Sequence, residues 1–207
     1  MSDPRTELVG AGYDAMIDSW ESWAGSIQDD PRHEWSAELT ARLRPGARVL
    51  ELGCGGGTRE TQELAASFQL TGIDLSERQL ARARKRVPTG DFRREDFTTI
   101  ELEPSSFDAV VSFYAFNHVP RELLAPLISR IALWLEVDGW FMASFGTTDL
   151  EAWTGDFLGA PTFFSSYQPE HNSALVRSAG LAIERDEIVT ISEPEGPVAF
   201  QWILARR

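Results

Sequence analysis

Residues 48–58, Arg48-Val49-Leu50-Glu51-Leu52-Gly53-Cys54-Gly55-Gly56-Gly57-Thr58, decide the fold. A short apolar run opens into glycines and then into a helical pattern carrying Leu64, Ala65 and Phe68, which reads as strand, tight turn and helix. Glycines at such a turn let backbone approach a ligand closely, and the first amides of the following helix point at it. Two phosphate-binding patterns fail. The dinucleotide fingerprint needs a glycine where this chain has Thr58 or Glu60, depending on register. The phosphate-cradling loop needs a lysine, and the one lysine present is Lys85. What fits is Glu51-x-Gly53-x-Gly55-x-Gly57. A carboxylate at the end of that strand repels a pyrophosphate and suits an ammonium group, which favours a cationic, zwitterionic ligand.

The same unit repeats outward. Leu70–Ile73 is a second strand ending at Asp74, about 20 residues past the glycines, where an acid typically accepts from ribose hydroxyls. The ligand is therefore expected to contain a ribose. Ser76-Glu77-Arg78-Gln79 has capping-box spacing and opens a helix with Leu80, Ala83 and Val87 inward. A short strand near 91–94 and a strand over Phe107–Phe113 follow, then a helix from about 121 to 135. Asp138-Gly139 turns the chain into a strand at 140–145, and a helix lies between Pro169 and Gly180. Strands at 181–191 and 197–205 form a closing hairpin, with at least one edge strand antiparallel to the rest. Strands alternating with crossover helices predict a three-layer αβα sandwich.

Ahead of this core, residues 1–40 carry nine acids against Arg5 and Arg32, with three of the seven tryptophans. Apolar residues at 13, 16, 17, 20, 23 and 24 keep helical spacing, and Trp35, Leu39 and Leu43 suit a second helix over 33–43, so two helices are expected before the first strand. One domain over residues 1–207 is predicted: a helical cap (1–44), a core (45–146), a lid or insert (147–169) and a C-terminal helix and hairpin (170–207).

The 207 residues are 43% apolar, enough for a sizeable core, and carry a net charge of -13. That balance disfavours nucleic acid and anionic membrane surfaces as partners. Neither a long apolar run nor a leader-like N-terminus is present, so a cytoplasmic, soluble protein is expected, as a monomer or homodimer. Cys54 is the only cysteine, and His33, His118 and His171 lie far apart, so disulfides and a zinc site are not expected. Arginine in place of lysine almost throughout points to a high-GC, bacterial coding sequence. The cluster Arg78, Arg82, Arg84, Lys85, Arg86, Arg93 and Arg94 reads as a solvated helix face.

Through VLELGCGGGT (49–58), TGIDLS (71–76), RREDF (93–97), FDAVVSFYAFNHVPRE (107–122) and WLEVDGWFMASFG (134–146), the sequence resembles the class I S-adenosylmethionine-dependent methyltransferases. The resemblance implies a Rossmann-like, seven-stranded, mostly parallel sheet with an antiparallel C-terminal hairpin, and S-adenosyl-L-methionine lying across the carboxyl ends of the strands. It implies that Gly53, Gly55 and Gly57 line the methionine and ribose portion, with Glu51 near the amino group and Asp74 on the ribose hydroxyls. Leu75 is then expected to pack on the adenine, Asp96 to accept from its amine unless it caps a turn, and Phe97 to lie beside the ring. Phe113 ends the next strand at the same edge. Tyr13 resembles the family's N-terminal tyrosine that reaches the cofactor's carboxylate end, and Trp20 stands where many relatives have a second tyrosine.

Methyl transfer from a sulfonium needs mainly proximity and orientation, and a base only where the acceptor must lose a proton. His118, just past the fourth strand, is the candidate base; the alternative is a helix cap or a loop hydrogen bond. Trp153, Phe163 and Phe164, with Trp20, are expected either to form an apolar lid over a small-molecule acceptor or to make a satellite core. The motifs of nucleic-acid methylating enzymes and of magnesium-dependent catechol enzymes are absent, so a metal-free O- or N-methylation, in bacterial secondary metabolism, is the expected function. The alternatives are a non-methylating cyclisation or elimination using the same cofactor, and a non-catalytic cofactor-binding module.

Overall fold

The computed structural model describes residues 3–207. Three helices come first: α1 (Pro4–Ala15), α2 (Ile17–Ala24) and α3 (Arg32–Thr40). They are followed by β1 (Arg48–Leu52), α4 (Arg59–Ser67), β2 (Gln69–Asp74), α5 (Glu77–Arg86), β3 (Asp91–Arg94) and β4 (Phe107–Ser112). Two 3-10 turns, Phe116–His118 and Arg121–Leu123, lead into α6 (Leu124–Trp134) and β5 (Leu135–Gly146). The chain ends with β6 (Leu150–Phe157), β7 (Ala160–Ser166), α7 (Pro169–Ser178), β8 (Ala182–Glu193) and β9 (Gly196–Arg206).

Seven strands form one sheet in the order β3-β2-β1-β4-β5-β9-β8, parallel through β5. The order reverses between β1 and β4, and in open sheets of this kind ligands bind outside the carboxyl ends of the strands at that reversal. Burial on both faces explains why β1 is apolar almost throughout. Leu50 and Leu52 pack with Val110, Phe141 and the α6 residues Leu127, Ile128 and Ile131 on one side. Val49 packs with Leu64, Leu80 and Met142 on the other.

Several expectations are corrected. Three helices, not two, precede β1, because the apolar set from 13 to 24 straddles a break at Met16, which caps α1 and opens α2. α1 is wedged against the core: a Cβ at Gly10 would stand 2.9 Å from the Leu75 Cβ, and one at Gly12 would stand 2.5 Å from the Pro161 carbonyl oxygen. The antiparallel strand is β9, one in from the edge; β8, paired antiparallel to β9 alone, is the edge and runs with the parallel strands. β5 begins at Leu135, and Asp138-Gly139 is an excursion between Leu135, paired with Phe107, and Trp140, paired with Ala109. The insert is a β-hairpin rather than a loop. β6 and β7 pair antiparallel across Leu158-Gly159, both at positive φ (54° and 87°), the two-residue turn whose twist suits a hairpin.

The basic face of α5 is solvated as expected, and it also carries ion pairs to the N-terminal helices. The Arg82 guanidinium pairs with Asp18 and Glu21, Arg86 pairs with Glu21, and Asp14 accepts from the Ser76 hydroxyl at 2.5 Å and the Arg78 amide at 3.0 Å. The acids of the N-terminal segment thus dock it on α5. Exposed pairs of this kind contribute about 0.2–1 kcal/mol each, so their work is orientation more than stability.

Candidate functional site

One large cavity, about 720 Å³, opens at the carboxyl ends of the strands. It is lined by Tyr13, Trp20, Glu51, Gly53, Gly55, Asp74, Leu75, Asp96, Phe97, Phe113, His118, Trp153 and Phe164, among others. Two expected residues are not on its wall. Gly57 (φ 73°) faces α5, where a Cβ would come 3.1 Å from the Ala83 Cα; its bareness serves helix packing. Phe163 is buried on the far side of β7, with the Arg5 guanidinium 5.4 Å from its ring centroid. Alternation along β7 sends Phe164 into the cavity and Phe163 away from it.

On the β1-β2-β3 half, the wall is backbone and carboxylates. Gly53 and Gly55 both hold positive φ (73° and 53°). Asp74, at the end of β2, accepts from the Gly55 amide at 2.8 Å through one carboxylate oxygen and from the Ser76 amide at 2.9 Å through the other. Burial raises its pKa, and these amides oppose the rise. Asp96 caps its turn, with Oδ1 accepting from the Thr98 amide and hydroxyl at 2.9 and 2.6 Å, and it also lines the cavity. Glu51 is buried at the end of β1. Its Oε1 accepts from the Thr61 hydroxyl at 3.1 Å and its Oε2 has no partner, so burial pushes the pKa up to about 8.

Three polar residues of this wall escaped the sequence reading. Gln79 is buried with both amide atoms unpartnered. The capping-box spacing that pointed to it is only half used: the Ser76 hydroxyl accepts from the Gln79 amide at 3.1 Å, and the side chain turns to the cavity instead. Arg32, at the start of α3, lines the cavity and pairs with Asp30 at 2.7 Å. Tyr114 sits at φ 59°, unusual outside glycine, with its hydroxyl donating to Asp30 at 2.9 Å and the Arg32 guanidinium 5.3 Å from its ring centroid. No sequence pattern announces that geometry.

On the β4-β5-β9-β8 half, the wall is aromatic. Rings follow one another from α2 to the hairpin: Trp23 to Phe157 at 5.3 Å, Phe157 to Phe164 at 5.5 Å, and Phe164 to His118 at 4.4 Å between centroids. His118 continues to Tyr13 at 5.2 Å, and Trp153 stands 5.6 Å from Phe164. The His118 tautomer follows from its partners. The Phe163 carbonyl can only accept, so Nδ1 carries the proton donated to it at 2.9 Å, and Nε2 accepts from the Tyr13 hydroxyl at 2.8 Å. Burial lowers the His118 pKa to about 4 and raises that of Tyr13.

A folded pKa below the unfolded value of about 6.5 means the unfolded chain binds more protons between those values, so stability falls as pH drops through that window. Wild type should lose about 1–2 kcal/mol more stability than His118→Gln on going from pH 7.5 to pH 5, measured by urea unfolding. Equal losses would show that His118 titrates normally.

A model of the methyltransferase domain family matches residues 49–139. The chain is 33% identical over 120 residues to a phosphatidylethanolamine N-methyltransferase of Cereibacter sphaeroides, covering 52% of this chain and 57% of that one. It is 30% identical over 141 residues to the 27-O-demethylrifamycin SV methyltransferase of Amycolatopsis mediterranei, covering 58% and 52%. The chain thus spans little more than half the length of these curated relatives. Its fold is similar to that of magnesium protoporphyrin IX methyltransferase from Synechocystis, solved with bound S-adenosylmethionine, at TM-score 0.75 and 18% identity over 100% of this chain and 98% of that one. The strand order, the glycine turn with its acids, and the domain match converge: residues 49–139 match the methyltransferase domain family, and the chain is similar in fold to the class I S-adenosylmethionine-dependent methyltransferases.

Proposed function

We propose that this chain methylates a small-molecule acceptor, with S-adenosylmethionine held over β1-β2-β3 and the acceptor between α2, the β6-β7 hairpin and the tip of β8-β9. The observation that carries the reading is Glu51. A buried carboxylate oxygen without a partner, at the end of β1 and beside a cavity, is what an ammonium group of the cofactor would satisfy. The rest of the wall fits as well. Gly55 keeps open a space that a Cβ would fill, with only the Trp20 ring edge at 4.0 Å. Asp74 retains lone pairs for ribose hydroxyls, Gln79 brings an unused amide to the same wall, and Arg32 supplies a cation for the cofactor's carboxylate. When bound, the cofactor supplies an activated methyl group, so the protein contributes proximity, orientation and exclusion of water.

We assign His118 the part of proton acceptor through Nε2, reached when the Tyr13 hydroxyl turns aside. Burial makes it a weak base, which suits an acceptor that gives up its proton readily or has none to lose. The ring set Trp20, Trp23, Trp153 and Phe164 is assigned to the acceptor.

Calorimetric titration with S-adenosylhomocysteine, and separately with NAD, tests the cofactor site. An ammonium group beside Glu51 favours its ionised form, so binding lowers a pKa of about 8 and drives the proton off. Close to one proton should be released per S-adenosylhomocysteine at pH 7, affinity should rise with pH and level off above about 8, and Glu51→Gln should abolish the release. Binding without proton release would remove Glu51 from the site, and tight binding of NAD alone would overturn the cofactor assignment. Acceptor-dependent formation of S-adenosylhomocysteine then separates methyl transfer from cyclisation and from a silent binding module.

A further inference from the structure

The acceptor half of the cavity holds one carboxylate that nothing balances. Glu193, the last residue of β8, lines the cavity beside Ile191, Pro197 and Val198. Among the described residues no Arg or Lys pairs with it, and burial together with neighbouring Glu195 raises its pKa. Glu193 shares the cavity wall with Tyr13, Tyr114 and His118. Arg32 is the single arginine or lysine on the whole cavity wall, and it is already paired with Asp30 at 2.7 Å beneath the Tyr114 ring. The same cavity is lined by the rings of Trp20, Trp23, Trp153, Phe157 and Phe164, whose quadrupoles attract cations and repel anions.

We infer that this lobe takes a flat, ring-bearing acceptor that is neutral or positively charged, with a basic nitrogen turned to Glu193, and that it turns away anionic acceptors of the same shape. The word acceptor rests on the methyl-transfer reading; the charge preference does not. An anion entering here meets an unbalanced carboxylate and aromatic faces, and the one arginine of the described wall, paired with Asp30, is the group assigned to the cofactor's carboxylate, so little repays the anion's desolvation. A cation or a polarised nitrogen meets a carboxylate at one end and rings on either side, as in the aromatic sites that bind quaternary ammonium groups. The floor of the lobe also asks for no strong base, since an uncharged ring nitrogen carries no proton to remove.

Four bicyclic probes of one outline read the preference: N-methylisoquinolinium, isoquinoline, 2-naphthol and 2-naphthoate, titrated at pH 7.5 by tryptophan fluorescence into the protein alone and with saturating S-adenosylhomocysteine. N-methylisoquinolinium should bind about tenfold or more tighter than 2-naphthoate, with the neutral pair between them. Glu193→Gln should shrink that ratio to about threefold or less, and Glu193→Asp, which keeps the charge, should preserve it. A parent protein that binds 2-naphthoate as tightly as the cation, or a ratio unchanged in Glu193→Gln, would overturn the inference. Because the ratio is read without cofactor as well, failure of S-adenosylhomocysteine to bind would count against the methyl-transfer reading and leave the charge preference to be judged on its own data.

Discussion

Alanine in place of Asp74 should weaken S-adenosylhomocysteine binding by about a hundredfold. Each hydrogen bond to a charged group is worth about 1.5–3 kcal/mol, and on the proposed reading the side chain accepts from two ribose hydroxyls; about 3 kcal/mol corresponds to a hundredfold. The truncation also frees the Gly55 and Ser76 amides, which now donate to the two oxygens at 2.8 and 2.9 Å, so the glycine turn loses its tie to β2. Asp74→Asn separates the two contributions: it keeps one acceptor oxygen for the backbone and should cost about tenfold. Calorimetry on both variants checks the pair, and an Asp74→Ala protein that binds like the parent would remove the ribose contact from the site.

The second large effect is a contrast between glycines two positions apart. A Cβ at Gly53 would lie 2.4 Å from the Ala115 Cβ, at φ 73°, so Gly53→Ala combines overlap with backbone strain. Overpacking of about 1–3 kcal/mol and left-handed strain of about 1–2 kcal/mol together predict a loss of about 2–5 kcal/mol. For a chain of this size that lowers the melting temperature by about 5–15 °C. At Gly55 the nearest atom to the added Cβ is 4.0 Å away, on Trp20, so Gly55→Ala carries only the strain of φ 53°. Its melting temperature should move by a few degrees, about 2–6 °C, while S-adenosylhomocysteine binding is largely lost because the methyl group occupies the cofactor's space. Thermal unfolding and titration of both proteins decide it; equal melting shifts, or retained binding in Gly55→Ala, would contradict the assignment of Gly55 to the ligand and Gly53 to the packing against Ala115.

What was legible in the sequence follows from how local each cause is. β1, its glycine turn and Asp74 are visible because strand, turn and terminal acid are adjacent in the chain and each residue type has one physical reason to be there. The β6-β7 hairpin was missed because its turn, Leu158-Gly159, is not one of the strong turn pairs and its aromatics match a lid as well as a strand. Phe163 and Phe164 are indistinguishable by type, and only the register against Thr154 and Trp153 says which one faces the cavity. The break at Met16 leaves no mark in the apolar spacing, and the close approaches of Gly10 to Leu75 and Gly12 to Pro161 join residues far apart in the chain. Arg32 and Glu193 likewise come together on the cavity wall from opposite ends of the chain, where the N-terminal segment pairs with β8 through Gln28 and Ser192 and closes over the strand ends.

That closure divides the cavity by the kind of material that forms it. The half over β1-β2-β3 is made of strand termini, main-chain amides and the carboxylates tied to them. The acceptor half is made of side chains on two hairpins and a helix that are stitched to the sheet at their margins, by Trp23 Nε1 to Glu195 at 2.9 Å and by the arginines of α5. Drift in those margins can therefore reshape the aromatic half while the sheet and its glycine turn stay as they are, so that on the proposed reading a lineage built on this plan keeps its reagent and varies its clientele.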